Sequence, residues 1–159
     1  MSVGRLLLRL IVVPFAIVLA VYAGTLVALV ANWGRFAAMV VSDPRMSDGH
    51  FIVGIVVVLI LAFVASITTF SMLLPGLIGV LISETFSIRS WVFHALNGGL
   101  SMWVGRATVG YVEPPFEFYD QPLVVLAAGL AAGFVYWAIA GWNAGFMKSP
   151  PAPGAVVRR

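Results

Sequence analysis

Residues 75–108, PGLIGVLISETFSIRSWVFHALNGGLSMWVGRAT, contain the densest row of polar side chains in the apolar part of the chain. They include Glu84 and His94, both in otherwise apolar surroundings, and they begin with the helix-breaking pair Pro75 and Gly76. A polar group that faces lipid without a partner costs several kcal/mol. We therefore expect this stretch to decide how the more apolar segments on either side of it pack together.

The chain as a whole is too apolar for a water-soluble domain. Apolar residues make up 62% of its 159 residues and charged residues 9%, whereas soluble domains average about 45–50% and about 25%. A soluble domain of this length still exposes roughly a third of its chain's surface, so the apolar excess has no core to fill. The sequence therefore predicts a membrane protein, with lipid as the solvent for much of its surface.

Composition also narrows the function classes. The net charge of +3 comes without a basic patch interleaved with aromatic residues, which argues against nucleic-acid binding. The chain has no cysteine, so thiolate catalysis and disulfides are excluded. Its two histidines, His50 and His94, are predicted to lie on opposite faces of a membrane core about 30 Å thick, too far apart to share a metal or haem. We predict no catalytic residue, no cofactor and no metal site.

Four long apolar segments predict an all-α integral membrane protein, an antiparallel four-helix transmembrane bundle. One domain covers residues 1–147, and residues 148–159 form a disordered cytoplasmic tail. The predicted spans are residues 10–31, 51–82, 88–109 and 123–146. The first is about 33 Å long as a helix, which matches a hydrocarbon core of about 30 Å; a removed signal peptide is the alternative for this segment.

The second predicted span is the longest and contains Pro75. At about 50 Å it is too long to stand upright, so Pro75 either kinks a continuous helix or ends it before a shorter second piece. Residues 32–50, which precede this span, predict either a short interfacial helix or a solvated loop. In a three-span alternative, residues 75–108 lie flat in the interface and the C-terminus emerges on the outer side.

The polar residues of the third span lie on one side of the predicted helix. At 100° per residue, all of them fall within about 40° of the first one; they are Ser90, His94, Asn97, Ser101 and Thr108. Such a stripe must face other helices or a wet cavity, because lipid cannot hydrogen-bond to it.

Two readings of this stripe and of the charged residues before it stay open. Ionisable groups within a membrane are candidates for function, and the candidate proton or ion relay consists of Glu84, Arg89, Ser90, His94, Asn97 and Ser101. In the other reading, Glu84 and Arg89 pair loosely at headgroup depth, and His94 bonds a backbone carbonyl or a hydroxyl of a neighbouring helix.

Small and hydroxyl-bearing residues predict how the other helices pack. Small residues four apart let helices approach closely in lipid, and the fourth span has two such pairs, Gly129 with Gly133 and Gly141 with Gly145. Gly129 and Gly145 sit about 160° apart around the helix, which predicts two contact surfaces. In the second span, hydroxyl side chains are expected to bond carbonyls of their own helix; they are Ser66, Thr68, Thr69 and Ser71.

Arginine and lysine positions predict the threading. With the N-terminus inside, the inner flanks carry Arg5, Arg9, Arg89, Lys148, Arg158 and Arg159. The outer side carries Arg35, Arg45 and Arg106. Since basic residues favour the cytoplasmic side, we predict a multi-pass protein of a bacterial inner (plasma) membrane with both termini in the cytoplasm.

Two segments resemble small four-span bacterial inner-membrane proteins of unassigned function. One is ETFSIRSW, residues 84–91, continuing to Gly98 and Gly99; the other is GFVYWAIAG, residues 133–141. Such proteins usually have an arginine after the last glycine, where this chain has Trp142. The resemblance implies a four-span bundle and transfers no catalytic residue.

The sequence offers much contact surface and little chemistry, which favours a non-enzymatic role. We expect a structural or accessory subunit that packs against itself or against a larger membrane complex, with membrane lipids and a protein partner or second copy around it. The alternative is a small transporter or a proton or ion pathway along the polar face of the third span. An enzyme acting on lipid is a more distant third class.

Overall fold

The computed structural model describes residues 3–42, 51–109 and 119–144. These residues form six α-helices and one short 3-10 helix, with no strand among them, which confirms the all-α prediction. The α-helices are α1 (Val3–Ala31), α2 (Trp33–Ser42), α3 (Phe51–Leu73), α4 (Gly76–Phe86), α5 (Trp91–Val109) and α6 (Pro122–Ile139). The 3-10 helix is Gly141–Asn143.

Three of the helices are long and apolar enough to cross a membrane: most of α1, most of α3, and α6. By length and composition, these three helices of the described residues agree with the predicted membrane protein. The predicted third span contains α5, and the polar residues of that helix keep it out of this apolar set. The short α4, 11 residues, is apolar but cannot cross a membrane by itself.

Small residues fill the interior, and large apolar residues cover the outside. The most buried apolar positions include five alanines with at most 1% exposure, Ala16, Ala28, Ala65, Ala128 and Ala132. Leu10, Phe15 and Phe63, by contrast, are 67%, 58% and 67% exposed. Water-soluble proteins bury such large side chains, whereas in lipid it is small residues that let helices pack closely.

Helix α6 packs most extensively against α5 and α1. Its first turns lie beside the end of α1, where Val124 and Val125 share a cluster with Ala28. Its end lies near the start of α1, where Arg9 bonds the carbonyl of Ala140. Neighbouring contacts therefore run in opposite directions along the two helices, which makes α1 and α6 antiparallel.

The predicted second span is two helices with a break at Pro75. Because proline has no N–H, the carbonyl of Ser71 cannot receive its helical bond, and Leu74 N–H donates to it instead, at 3.3 Å. Helix α3 therefore ends at Leu73, and α4 begins at Gly76. Hydrogen bonds between residues three apart, as in a 3-10 helix, continue across the break; Leu77 N–H donates to the carbonyl of Leu74 at 3.0 Å.

Helix α4 ends at a sharp reversal. Ser87 has a φ of 56°, the left-handed conformation that commonly ends a helix, and Ile88 N–H donates back to the carbonyl of Ser83 at 2.9 Å. The chain then starts α5 at Trp91. This reversal turns the carbonyl of Ile88 toward the first turn of α5.

The remaining segments differ from the predicted bounds at their ends. Residues 33–42 form α2, so the structure has a helix in the first part of the segment after the first span, and residues 43–50 lie outside the described residues. Helix α1 begins at Val3, earlier than residue 10. Helix α6 ends at Ile139 rather than residue 146, and the 3-10 helix at Gly141 packs beside α5.

Candidate functional site: a buried polar cluster

An ion pair between α1 and α4 lies buried at one end of the molecule. The Nη1 atom of Arg9 is 2.5 Å from Oε1 of Glu84 and also donates to the carbonyl of Ala140, at 3.2 Å. The two charged side chains are 7% and 1% exposed. A buried charge is stable only when it is paired and hydrogen-bonded. Since the partners of Arg9 come from α4 and from the end of α6, these bonds hold the three helices together.

The sequence places Arg89 nearest to Glu84, but the ion-pair partner in the structure is Arg9, 75 residues away. Arg89 lies on the surface in the turn before α5, and its Nε donates to the carbonyl of Ala144 at 3.4 Å. Its own carbonyl accepts a bond from Trp137 Nε1 at 2.8 Å. Arg89 thus joins the start of α5 to the end of α6, while a distant arginine neutralises the carboxylate.

His94 lies in the first turn of α5 and is 1% exposed. Its Nε2 is 3.2 Å from the carbonyl of Ile88, so the histidine bonds a backbone carbonyl, as one of the two readings expected. A carbonyl only accepts hydrogen bonds, so Nε2 carries the proton. The other ring nitrogen, Nδ1, is buried and has no hydrogen-bond partner among the described residues.

Tyr136 of α6 faces His94. The two ring centroids are 5.4 Å apart, and Tyr136 is 4% exposed. Its hydroxyl is also buried without a hydrogen-bond partner among the described residues, and it lies within reach of the charges of Glu84 and Arg9. We call these four residues, Arg9, Glu84, His94 and Tyr136, the buried polar cluster.

Ser101 closes the break between α3 and α4. Gly76 N–H donates to its Oγ at 2.7 Å, and the same Oγ donates to the carbonyl of Met72 at 3.2 Å. In a continuous helix, Gly76 N–H would bond the carbonyl of Met72 directly. The serine hydroxyl is therefore inserted into one helical hydrogen bond, which satisfies both backbone groups that the break separates.

Asn97, one turn earlier in α5, binds the same break. Its Nδ2 donates to the carbonyl of Gly76 at 2.9 Å. The side chain lies where Gly79 leaves room, because a Cβ at that glycine would overlap the Asn97 amide. Broken helices are tolerated in lipid only where protein or water satisfies the freed backbone groups, and the polar stripe of α5 does so here.

Helices α5 and α6 meet at their backbones. A Cβ added at Gly98 would overlap the carbonyl oxygen of Gly129, and one added at Gly133 would overlap the carbonyl oxygen of His94. Gly141 leaves room for the His94 ring, whose nearest atom would lie 2.8 Å from an added Cβ. Three of the four predicted packing glycines thus face α5, and Gly145 lies outside the described residues.

The hydroxyl residues of α3 bond their own helix, which confirms that prediction. Each donates to the carbonyl four residues earlier, at 2.7–3.1 Å; they are Ser66, Thr68, Thr69 and Ser71. Thr69 also receives a bond from Thr25 of α1 at 3.1 Å and contacts the hydroxyl of Tyr119. Burial raises the pKa of Tyr119 to about 12, so its phenol stays neutral.

The opposite end of the molecule is organised around Asp120. Its Oδ2 is 2.7 Å from Nη2 of Arg35, and its main-chain carbonyl accepts a bond from Arg106 at 2.6 Å. The Arg35 and Asp120 side chains are 51% and 30% exposed. The hydrogen bond from Arg35 holds the pKa of the Asp120 carboxyl below its usual value. We refer to the two ends as the Arg9 end and the Asp120 end.

The residues of the candidate relay are divided between three places. Glu84 and His94 belong to the buried polar cluster at the Arg9 end. Asn97 and Ser101 lie farther along α5, at the α3–α4 break. The remaining two, Arg89 and Ser90, are on the surface before α5.

Sequence reasoning missed two members of the buried polar cluster. Arg9 precedes the first predicted span, in the basic flank that predicts the threading, but it follows three leucines and precedes another, Leu10. An arginine inside such a run needs a partner from another helix, and Glu84 is the one carboxylate in comparable surroundings. Tyr136 carries no such signal, because tyrosine is also common at membrane surfaces.

The arrangement holds an internal charge pair and two buried polar atoms without a hydrogen-bond partner among the described residues. The described residues offer no group of three or more side chains that could hold a metal ion. Comparisons of the chain with protein-family models, with curated proteins and with solved structures find no match.

Proposed function

We propose that the chain is a non-enzymatic integral membrane protein that crosses a bacterial inner membrane four times and serves as a structural or accessory subunit. The four crossings are α1, the pair α3 and α4, α5, and α6. Arg9 and Ala31 are about 33 Å apart along α1, close to the thickness of a hydrocarbon core. The charges of the Arg9 end and the Asp120 end would then lie near the two membrane surfaces, with the Arg9 end and both termini in the cytoplasm.

The structural role rests on one observation: residues of the polar stripe on α5 hydrogen-bond to the backbone of the α3–α4 break. Asn97 and Ser101 are the residues best placed to line a path through the protein, and both are bonded to the backbone of the α3–α4 break. Side chains that already hydrogen-bond to the backbone at the break are not available to bind a passing solute. Large apolar side chains on α1 and α3, such as Phe15 and Phe63, remain exposed to lipid or to a protein partner.

Photocrosslinking in native membranes tests this role. A photoreactive residue at Phe63, which is 67% exposed on α3, should give a discrete protein adduct, either with a second copy or with a larger complex. The same probe at Met102, which is fully buried, is the matched control and should give none. If Phe63 and comparable exposed positions on α1 yield only lipid adducts, and gentle detergents release a lone monomer, the accessory role is wrong.

A reporter fusion tests the threading separately. A reporter placed after Arg159 should be active only in the cytoplasm, because four crossings return the chain to its starting side. A reporter inserted at residues 110–118 should be active only outside. The reverse result at one position only would contradict four crossings, and the reverse result at both would contradict the orientation.

The second candidate function is a small transporter or a proton or ion pathway along the polar face of α5. One observation favours it: Nδ1 of His94 is buried without a partner among the described residues, next to a buried ion pair. Protein reconstituted into vesicles should then move protons or a solute, and His94→Ala should abolish the movement. Equal fluxes in empty vesicles and in vesicles with the protein would remove this candidate.

A further inference from the structure

Two buried polar atoms of the buried polar cluster stand out, one on α5 and one on α6, because each lacks a partner and their rings are close. They are Nδ1 of His94 and the hydroxyl of Tyr136, and neither has a hydrogen-bond partner among the described residues. Their rings are 5.4 Å apart between centroids. Folded proteins rarely leave such groups unsatisfied, and a bound water is the usual partner where two or more polar atoms converge. The third such atom, Oδ1 of Asp120, lies at the Asp120 end, apart from this pair.

The hydrogen bond on the far side of the His94 ring fixes what Nδ1 can do. Nε2 faces the carbonyl of Ile88 at 3.2 Å, so Nε2 keeps its proton in the neutral ring. Nδ1 then carries a lone pair, and this atom is buried. A lone pair of this kind accepts a hydrogen bond from water or a proton from it, and histidine is the side chain that changes charge most readily near neutral pH.

The charged and titratable side chains at the Arg9 end come from several elements. Glu84 comes from α4, Arg9 from α1, Tyr136 from α6, and Arg89 from the turn before α5. Both described bonds of the Arg9 guanidinium leave from Nη1, and a guanidinium has five N–H donors. The Arg9–Glu84 pair is formally neutral, so a proton on His94 would make the cluster positive by one. The carboxylate of Glu84 would offset that charge.

We propose that the buried polar cluster is a proton-binding site, in which a bound water links Nδ1 of His94 to the Tyr136 hydroxyl and His94 takes up one proton. The water donates to Nδ1 in the neutral state and accepts from the imidazolium N–H after protonation, and the Tyr136 hydroxyl supplies its other hydrogen bond. Glu84 stabilises the protonated state. This site goes beyond the structural role proposed above, and that role does not depend on it.

Nitrogen-15 NMR of the histidine ring tests the proposal in the folded protein. The chain has only two histidines, so in a His50→Gln background the labelled ring signals belong to His94 alone. At high pH the signals should show a neutral ring with the proton on Nε2. As the pH falls, both nitrogens should move reversibly to imidazolium positions while the protein stays folded. A proton on Nδ1 in the neutral ring, or a ring that remains neutral at every pH at which the protein is folded, would overturn the proposal.

Two substitutions test the neighbours of His94. Tyr136→Phe removes only the hydroxyl and should change the proton affinity of His94 by about threefold or more, which is about half a pH unit. Tyr22→Phe is the matched control, because Tyr22 is 61% exposed on α1, and it should leave the titration unchanged. Identical titration curves in both variants would show that the hydroxyl is not part of the site and would overturn the water link.

Glu84→Gln should lower the proton affinity of His94, because it removes the one negative charge of the cluster and leaves Arg9. The expected change is tenfold or more, which moves the midpoint by at least about one pH unit toward acid. If this variant does not fold, the tautomer and titration in the His50→Gln background still decide the proposal. A His94 midpoint that is unchanged or higher in folded Glu84→Gln protein would contradict the role of Glu84.

Discussion

The two ends of the molecule each hold an arginine–carboxylate pair of nearly the same length, 2.5 Å for Arg9–Glu84 and 2.7 Å for Arg35–Asp120. Their surroundings differ sharply, because the first pair is 7% and 1% exposed and the second is 51% and 30% exposed. Removing one partner from a buried pair leaves an uncompensated charge away from solvent. An exposed pair competes with water and salt and contributes little. The two pairs are therefore expected to differ in their effect on stability because of their burial and not because of their length.

The sharpest test of this comparison is to remove one partner at each end. Glu84→Ala leaves the Arg9 charge buried and unpaired, so the free energy of unfolding should fall by about 3–5 kcal/mol. Arg35→Ala should lower it by less than about 1 kcal/mol. Denaturant unfolding in mixed detergent micelles measures both values, and equal losses would contradict the comparison.

A double variant shows whether the charge itself is responsible. In Arg9→Met combined with Glu84→Leu, no buried charge remains, and the stability lost in Glu84→Ala should largely return. A double variant as unstable as the single one would indicate that the cluster is needed for its shape rather than for its charges.

The next largest effect is expected where helices touch at the Arg9 end. In Gly133→Ala the new Cβ meets the backbone carbonyl of His94, which cannot move aside like a flexible side chain. The free energy of unfolding should therefore fall by up to about 3 kcal/mol. Gly34→Ala in α2, nearer the Asp120 end, meets nothing within 4 Å and is the control. Similar losses of stability at both glycines would mean that the backbones of α5 and α6 lie farther apart at Gly133 than the structure shows.

A smaller loss is expected at the α3–α4 break, between the two ends. Ser101→Ala leaves Gly76 N–H and the carbonyl of Met72 without their bridge, which should cost about 1–2 kcal/mol of unfolding free energy. Amide hydrogen exchange at Gly76 should also accelerate. Ser71→Ala, which removes a hydroxyl from an exposed site, should stay within about 0.5 kcal/mol. Exchange at Gly76 that is equally slow in Ser101→Ala would show that the hydroxyl does not close the break.

The smallest effect is a pH dependence at the Asp120 end. Because the folded-state pKa of Asp120 lies below its unfolded value, the Arg35–Asp120 contact contributes stability above about pH 4. That contribution is lost as the pH falls through the lowered pKa, and it should be less than about 1 kcal/mol. Unfolding measured from pH 6 to pH 3 in the wild type and in Asp120→Asn tests this, since the variant should lack this part of the acid loss. An identical pH dependence in the two proteins would assign the acid loss to other groups.

Much of the helical layout follows from the sequence, because long apolar runs have few alternatives in lipid. The positions of α1, α3, α5 and α6 match the apolar segments, and the hydroxyls of α3 bond as expected. The sequence predicts a disturbance at Pro75 but not how it is accommodated, since the freed backbone groups are satisfied by Ser101, a residue of another helix. The sequence around a helix break does not indicate which distant side chain will hydrogen-bond to the freed backbone groups, because tertiary packing decides this.

The candidate site was less accessible to sequence reasoning for a related reason. His94, Asn97 and Ser101 share one helical stripe, and periodicity cannot tell a residue that closes a backbone break from one that faces an ionisable cluster. The structure separates them: Asn97 and Ser101 are bonded at the break, whereas His94 keeps one ring nitrogen unpaired among the described residues. Arg9, the partner of Glu84, lies 75 residues earlier. A local sequence pattern favours a partner that is close in sequence, such as Arg89.

The distance along the chain between Arg9 and Glu84 has a consequence for biosynthesis. A ribosome adds about 5–20 residues per second, so the 75 residues between the two take roughly 4–15 s to translate. If α1 enters the bilayer first, its guanidinium must wait that long for the carboxylate, held at the membrane surface by its flexible stem or by anionic lipid. Arrival of Glu84 would then draw the arginine inward and dock the earliest helix onto the later ones, so that the order of synthesis is also the order of assembly.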